Sequence, residues 1–196
     1  MTRDRAAIPE AKPARLFVAV EIPDGARRVV ERAVAPIRSA FPRARWAPAG
    51  SWHVTMRFLG STPPRLVPWV AETVSGVAAA HATAPTRLTS LGSFPSPGRT
   101  RVLWVGLEDA RGRLAAIAGS LDEALAAEVP REERAFTAHL TVARSDPPLR
   151  LDPALLATPI EATPFTVERL VLFRSHLRSP APRYEPLGTF PLSGSS

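Results

Sequence analysis

The sequence contains no cysteine among its 196 residues. This absence excludes disulfides, thiolate nucleophiles, iron–sulfur clusters and cysteine-based zinc sites. The sequence also lacks any apolar run near the roughly 18 residues that a membrane-spanning helix needs. Residues 1–14 are charged, contain proline and have no apolar stretch of the kind found in signal peptides. We therefore expect a globular protein of the reducing cytoplasm, without a membrane partner, whose residues 1–14 form a flexible leader.

Lysine is almost absent as well, because Lys12 is the only one, although the chain carries a net charge of +7. Nearly all of the positive charge is therefore arginine, whose planar guanidinium matches phosphate geometry and stays charged at any working pH. Two interpretations stay open: an anionic partner such as nucleic acid, or an arginine-rich surface that is only solvated. Hydrophobic residues make up 45% of the sequence, which is enough for the core of one globular domain.

Strand and helix patterns follow each other without the regular alternation of a doubly wound parallel sheet. Strands are predicted over residues 15–22, 51–59, 86–91, 101–107, 138–144, 165–175 and 184–192. Helices are predicted over residues 23–41, 66–81 and 111–129. Pro36 weakens the prediction of one unbroken first helix, and residues 92–100 are predicted to form a loop. We therefore predict one α+β domain of mainly antiparallel strands over residues 15–192, with a flexible tail over 193–196.

Two of the predicted strands resemble each other. Residues 53–56 (HVTM) and 139–142 (HLTV) share the pattern His-x-Thr-apolar, and they lie close to half the chain apart. An arginine follows each copy, Arg57 after the first and Arg144 after the second. The repetition predicts two similar lobes of sheet with outer helices, which enclose a central cleft.

The spacing inside each copy places two reactive side chains together. Residues i and i+2 of a strand point to the same face, so His53 and Thr55 project together, as do His139 and Thr141. An imidazole has an ordinary pKa near 6.5, so one can accept a proton while the other donates one. Threonine hydroxyls can contact phosphate oxygens, and an arginine can neutralise developing negative charge. The set therefore suits the cleavage of a phosphate ester.

The triplet alone is a weak signal, because His81 begins a third His-x-Thr at the end of an alanine-rich helix. We interpret His81 as a surface or helix-end residue. A single strand histidine is more often a packing residue than a catalyst, but two in matching strands favour a site. The fourth histidine, His176, follows a predicted strand, and both a substrate contact in the cleft and a surface position stay open for it.

Two stretches of the chain resemble the signature motifs of the 2H phosphoesterase superfamily, a pair of His-x-Thr/Ser-x motifs. Residues 52–60 (WHVTMRFLG) and 136–144 (FTAHLTVAR) look like the two motifs of the RNA 2′,3′-cyclic phosphodiesterases, a family also called 2′-5′ RNA ligases. Further similarities lie at residues 15–19, 92–94, 101–104 and 173–175. The likeness thus covers about residues 15–192 in order. One departure is Ala138, where the family often has proline.

This resemblance implies a two-lobed α+β fold. It also implies hydrolysis of the 2′,3′-cyclic phosphate of RNA or a nucleotide to a 2′-phosphomonoester, without a metal or a cofactor. The reverse reaction, which it implies too, would ligate RNA ends through a 2′-5′ linkage. By motif position, His53 and His139 are the general acid and base. Thr55, Thr141 and Arg144 are the phosphate contacts. We take His53 as the acid on the 3′ oxygen, although the sequence allows the reverse order.

Other residues and other functions stay open at this stage. Phe94 can stack on a base from its predicted loop or belong to the core, and Arg57 and His176 are further candidates for substrate contact. Three rivals are a different substrate such as ADP-ribose 1″,2″-cyclic phosphate, a non-catalytic RNA-binding module, and a metal hydrolase. Neither motif has an adjacent carboxylate to support a metal. We expect a monomer.

Overall fold

The computed structural model of the protein describes residues 12–176 and 182–194. The strands are β1 (Ala14–Glu21), β2 (Arg45–Trp46), β3 (His53–Thr62), β4 (Ala84–Phe94), β5 (Thr100–Leu107), β6 (His139–Leu149), β7 (Pro164–Val167), β8 (Arg169–His176) and β9 (Arg183–Pro191). The helices are α1 (Asp24–Ala40), α2 (Val67–Ala80), α3 (Arg113–Ala124) and α4 (Pro153–Leu156). The expected leader lies outside the described residues up to residue 11, and Ala14 already begins β1. In the expected tail, Ser193 pairs with the backbone at Ala82.

Within the described residues the sheet has nine strands: eight in the order β7-β4-β5-β6-β3-β1-β8-β9, and β2, which pairs with β6 beside this path. The strand pairings in this sheet are antiparallel. The two halves of the sheet join where β3 meets β6, through the register pair Val54–Leu140. The predicted α+β class with mainly antiparallel strands is confirmed.

A row of apolar side chains crosses the middle of the sheet and joins its two halves. Val20 pairs with Val54, which pairs with Leu140, which pairs with Val105. All four side chains are fully buried, in one apolar cluster with the inner faces of the helices. Burial of a side chain of this size contributes about 1.5–3 kcal/mol. Since neighbouring residues of a strand point to opposite faces, the residues flanking this row stand on the other face of the sheet.

The first helix runs through Pro36 without interruption. Helix α1 buries a stripe at helical spacing that includes Val30, Val34 and Ile37. Pro36 lies on the exposed side of the helix. The hydrogen bond that it removes would have gone to the carbonyl of Arg32, which is also at the solvent side, so water can replace the lost donor. The predicted first helix is therefore one unbroken helix with Pro36 inside it.

Several element bounds differ from those predicted, each because pairing extends or divides a strand. Strand β3 continues past Leu59 through Gly60, which has a φ of 69°. Residues 92–94 belong to β4, so the connecting loop is shorter than predicted. The single strand expected over 165–175 is two strands, because β7 pairs with β4 while β8 pairs with β1. None of the helices in residues 12–176 and 182–194 is long and apolar enough to cross a membrane.

Candidate active site

The two His-x-Thr motifs meet at the junction of the two halves of the sheet. Their central residues, Val54 and Leu140, form the pair that joins β3 to β6. In an antiparallel pair, the residue before the centre on one strand lies beside the residue after it on the other. His53 therefore lies beside Thr141, and the other histidine and threonine lie beside each other in the same way. All four side chains are half-buried on the face opposite the apolar row.

The two strands also share an irregularity just after the motif. The register of β3 with β1 skips Met56, and the register of β6 with β5 skips Val142. Such a bulge adds one residue to the strand and shifts the side-chain alternation. The exposed residue that returns to the site face is therefore the fifth after each histidine, which is Phe58 on β3 and Arg144 on β6. The two strands are thus related by an approximate local twofold axis, and Phe58 occupies the position on β3 that Arg144 occupies on β6.

The structure separates the two arginines that the sequence seemed to pair. Although Arg57 borders the cleft, its side chain is only 5% exposed, and Nη2 lies 2.8 Å from a carboxylate oxygen of Asp122. The guanidinium also lies 3.9 Å from Glu132 and donates hydrogen bonds to the carbonyls of Phe58 and Pro130. Arg57 therefore links β3 to α3 and to the segment after it through Nη1 and Nη2, while its buried Nε has no hydrogen-bond partner among the described residues.

Arg144 lines the cleft with an exposed side chain. Its charge lowers the pKa of both His53 and His139, after the larger effect of burial. The guanidinium is thus within electrostatic reach of both imidazoles. Among the described residues no carboxylate pairs with Arg144, so its five donors remain available to a phosphate.

Both imidazoles are held in the same orientation by the backbone. Nδ1 of His53 lies 2.8 Å from the carbonyl oxygen of Ser51, and Nδ1 of His139 lies 2.7 Å from that of Thr137. A carbonyl only accepts, so Nδ1 carries the proton and donates it in each case. Nε2 is therefore left free on both rings, and it carries a lone pair when the ring is neutral and a proton when the ring is charged.

Burial is the main influence on how the two histidines titrate. It lowers the pKa of His53 below the ordinary value of 6.5; the Ser51 carbonyl opposes this, and the charges of Arg144 and His139 add to it. Burial likewise lowers the pKa of His139, opposed by the Thr137 carbonyl and reinforced by Arg144. Both rings are therefore neutral at pH 7 in the free protein, and an anionic ligand favours the protonation of one of them.

Aromatic rings surround His53 on the side of β1, β8 and β9. The ring centroid of His53 lies 4.8 Å from that of Phe17, 5.1 Å from Tyr184 and 6.3 Å from Phe173. None of these three residues was predicted to belong to the site. Alternation in β1 assigns Phe17 to one face with Ala19, but only the pairing of β1 with β3 shows that this face carries the site.

Different aromatic rings contact His139. The Phe94 ring stands perpendicular to it at 5.3 Å, and the Trp104 ring lies at 6.1 Å. Trp104 lies over Gly92, where a Cβ atom would come within 2.2 Å of the indole. Glycine is therefore required at that position for the indole to lie beside the site.

A cleft of about 960 Å³ opens beside His139. Its lining includes Thr55, Arg144, Phe58 and Phe94. Phe58 is 49% exposed and Phe94 is 36% exposed, and in the part of the chain that the structure describes they are the exposed large hydrophobic residues. Phe94 ends β4 and does not sit in a flexible loop, which corrects its predicted setting. Phe58 was not predicted as a site residue, because the bulge that turns it into the cleft has no sequence signal.

The remaining two histidines bond outside the pair of motifs. His81 Nε2 lies 2.9 Å from the hydroxyl of Ser120, where the end of α2 meets α3. His176 Nε2 lies 2.6 Å from a carboxylate oxygen of Glu185, on the neighbouring strand β9. His176 does not line the cleft beside His139. Over residues 12–176 and 182–194, no three histidine or acidic side chains gather as ligands for a metal ion.

Fold and site together define a class of α+β proteins in which an antiparallel sheet brings two His-x-Thr strands to one cleft. The family model described as the 2′-5′ RNA ligase superfamily matches residues 23–178. The chain belongs to this superfamily, and the resemblance seen in its motifs is confirmed.

Named relatives agree with this assignment. The chain is 31% identical over 189 residues to the RNA 2′,3′-cyclic phosphodiesterase of Thermus thermophilus, which covers 92% of this chain and 91% of that protein. It is 28% identical over 187 residues to the protein of the same name from Geobacillus stearothermophilus, covering 94% of this chain. The match spans only 59% of the length of the Geobacillus protein.

Solved structures share the fold. The Thermus thermophilus protein TT0787 superimposes with a TM-score of 0.77 at 29% identity, over 93% of this chain and 100% of that chain. E. coli LigT complexed with 3′-AMP gives a TM-score of 0.76 at 22% identity, over 93% of this chain and 99% of that chain. At this identity the LigT likeness extends to the fold alone.

Proposed function

We propose that the protein hydrolyses the 2′,3′-cyclic phosphate of an RNA end or nucleotide to a 2′-phosphomonoester, with His53 and His139 as general acid and base. The observation that carries this proposal is the matched pair of imidazoles. Each ring is held through Nδ1 by a backbone carbonyl two residues earlier, so that Nε2 is left free. Each stands beside a threonine at the joint of β3 and β6. The names of the relatives in Thermus and Geobacillus support the same reaction.

The reaction needs one proton acceptor and one proton donor. Neutral His139 takes a proton from water through Nε2 as the water oxygen forms its bond to phosphorus. Protonated His53 gives its Nε2 proton to the 3′ oxygen as the bond from phosphorus to that oxygen breaks, which leaves the phosphate on the 2′ oxygen. Each such proton transfer contributes typically about 10²–10⁴ in rate. The two proton transfers together leave His53 neutral and His139 charged, and proton exchange with solvent restores the starting protonation of both rings.

Charge on the phosphate is handled by neighbouring groups. The hydroxyls of Thr55 and Thr141 donate to nonbridging oxygens, and the guanidinium of Arg144 neutralises the negative charge that develops there. If a 5′-hydroxyl of a second RNA end replaces water, the same two histidines form a 2′-5′ linkage. This ligation is the reverse of the cleavage of a 2′-5′ linkage to a cyclic phosphate, and we propose it as a second mode of the same site.

The pH dependence of turnover follows from the lowered pKa values of the two histidines. The active form has one ring neutral and one charged, so kcat/KM is expected to be bell-shaped. Since burial lowers the pKa of both rings in the free protein, the optimum of kcat/KM is expected below pH 6.5. Bound phosphate raises both pKa values, so the kcat profile is expected at higher pH. A kcat/KM that rises steadily from pH 5 to pH 9 contradicts a paired acid and base.

Phe58 and Phe94 are the proposed contacts for a nucleobase. Both are exposed at the cleft, and stacking of a base on an aromatic side chain contributes about 1–3 kcal/mol. We expect Phe58→Ala and Phe94→Ala each to raise the KM for a 2′,3′-cyclic nucleotide about ten-fold, with little change in kcat. The control substrate is ribose 2′,3′-cyclic phosphate, which has no base, and its KM is expected to stay the same. An equal loss on both substrates contradicts base stacking.

A substrate panel tests the proposed function against its rivals. Wild-type protein in excess EDTA is assayed on 2′,3′-cyclic nucleotides, on RNA ending in a cyclic phosphate and on ADP-ribose 1″,2″-cyclic phosphate. We expect turnover of the RNA end and the nucleotides to 2′-monophosphates. Preference for the ADP-ribose compound assigns the same chemistry to another substrate. Salt-sensitive RNA binding without turnover supports a binding module, and activity that EDTA abolishes supports a metal hydrolase.

A further inference from the structure

Tyr184, the only tyrosine of the sequence, lies against the reactive histidine of β3. Its ring stands perpendicular to the His53 ring, with the centroids 5.1 Å apart. It makes a similar edge contact with Phe17, also at 5.1 Å. These contacts bring β9, at the far edge of the sheet, to the site at the sheet's middle. The mechanism above gives this residue no role.

The surroundings of the phenol are positively charged. Tyr184 pairs with Ser175 on β8, and Ser175 pairs with Arg15 on β1, so the three side chains stand on one face of the sheet. Burial raises the pKa of the Tyr184 phenol, while the charges of Arg144 and Arg15 act in the opposite direction. The half-buried hydroxyl is thus within electrostatic reach of two guanidiniums.

The Tyr184 hydroxyl contributes neither a hydrogen bond nor packing to the fold among the described residues. No described side chain or carbonyl forms a hydrogen bond with it, although a partly buried tyrosine hydroxyl usually has one. Ring packing alone would be served by phenylalanine, as it is at the neighbouring Phe17 and Phe173, whose rings stack at 5.3 Å. A donor between two cations, beside a general acid–base residue, suits an anionic ligand.

We propose that the Tyr184 hydroxyl donates a hydrogen bond to a nonbridging oxygen of the phosphate, on the His53 side of the site. This inference rests on the proposed function and deepens it. The phenol stays protonated at working pH, so it serves as a donor and not as a base. It adds a third hydroxyl to those of Thr55 and Thr141, and it strengthens as charge develops on the phosphate.

The variant Tyr184→Phe removes only the hydroxyl. We expect kcat/KM on a 2′,3′-cyclic nucleotide to fall about ten- to a hundred-fold, with an unchanged melting temperature. The matched control is Thr189→Val, which removes an exposed hydroxyl from the same strand and is expected to keep the wild-type rate. Wild-type turnover by Tyr184→Phe overturns the inference. If such a variant is active while the histidine variants are dead, the proposed function stands and only the role of Tyr184 is lost.

A second measurement does not depend on turnover. Because the chain has one tyrosine, the ultraviolet absorbance of tyrosinate reports the ionisation of Tyr184 alone. Saturating adenosine 2′-monophosphate, the expected product, is added while circular dichroism follows the fold. A nearby dianion that accepts a hydrogen bond from the phenol favours the neutral phenol, so the midpoint of the Tyr184 ionisation is expected to move to higher pH. An unchanged ionisation midpoint contradicts the proposed hydrogen bond from Tyr184 to the phosphate, whether or not the protein turns over a cyclic phosphate.

Discussion

Replacing either His53 or His139 with alanine is expected to lower kcat on a 2′,3′-cyclic nucleotide by about 10²–10⁴-fold and to leave the fold intact. Each variant removes a proton donor or acceptor at Nε2. Both side chains are only half-buried, so their truncation leaves the apolar row beneath them in place. Turnover is measured at the pH optimum, and the melting temperature reports the fold.

The chain supplies its own control for this experiment. His81 begins the third His-x-Thr triplet, and its ring bonds to Ser120 away from the site. His81→Ala is expected to keep the wild-type rate. If His53→Ala and His139→Ala also turn over at that rate, the two-histidine mechanism is wrong.

A sulfur substitution decides which histidine is the acid. In a cyclic substrate whose 3′ bridging oxygen is sulfur, the leaving thiolate needs no proton. Loss of the acid then costs little, whereas loss of the base costs as much as before. With our assignment, His53→Ala is expected to regain most of its rate on the sulfur substrate and His139→Ala is not. The opposite pattern reverses the two roles and keeps the pair.

The second large effect is expected at Arg144. Arg144→Ala is expected to lower kcat/KM about 10²-fold, because it removes a charged donor from the developing charge on phosphate. Since the Arg144 charge lowers the pKa of both histidines, its loss is also expected to move the kcat/KM optimum to higher pH. Arg144→Lys keeps the charge without the planar fork, so it is expected to keep the pH optimum but to recover only part of the rate.

Arg57 provides the contrasting result. Its guanidinium is buried against Asp122, and breaking such a pair from one side leaves an uncompensated buried charge. Arg57→Met is expected to lower the free energy of unfolding by about 3 kcal/mol, while the folded protein keeps its kcat/KM and pH optimum. Urea unfolding and steady-state kinetics separate the two effects. A stable Arg57→Met with a rate loss as large as that of Arg144→Ala would mean that both arginines bind phosphate.

The grouping of His53, Thr55, His139 and Thr141 on one face of the sheet was predictable from the sequence because it depends on local periodicity. A His-x-Thr strand places both side chains on one face in any protein, and two such strands needed only to meet. The meeting point, the pair Val54–Leu140, depends on long-range register and has no local signal. The sequence also allowed His81 to be excluded from the site, because it follows a helix end and lacks the strand that places a histidine and a threonine on one face.

What the sequence could not predict depends on bulges and on contacts between distant strands. The bulge at Met56 turns Arg57 to the buried face and Phe58 into the cleft. The strand was predicted correctly, but strict alternation assigns these two side chains to the opposite faces. The aromatic rings of Phe17, Phe173 and Tyr184 surround His53 only because β9 pairs with β8 and β8 pairs with β1. Tyr184 and Phe17 are far apart in the chain, so only the assembled sheet brings them together.

The most direct test of the central claim is turnover of adenosine 2′,3′-cyclic monophosphate in excess EDTA by four proteins: the wild type, His53→Ala, His139→Ala and His81→Ala. The two-histidine account predicts adenosine 2′-monophosphate as the product, formed at similar rates by the wild type and His81→Ala and at least about 10²-fold more slowly by the other two. Turnover by all four proteins at one rate, or by none of them without added metal, would contradict it.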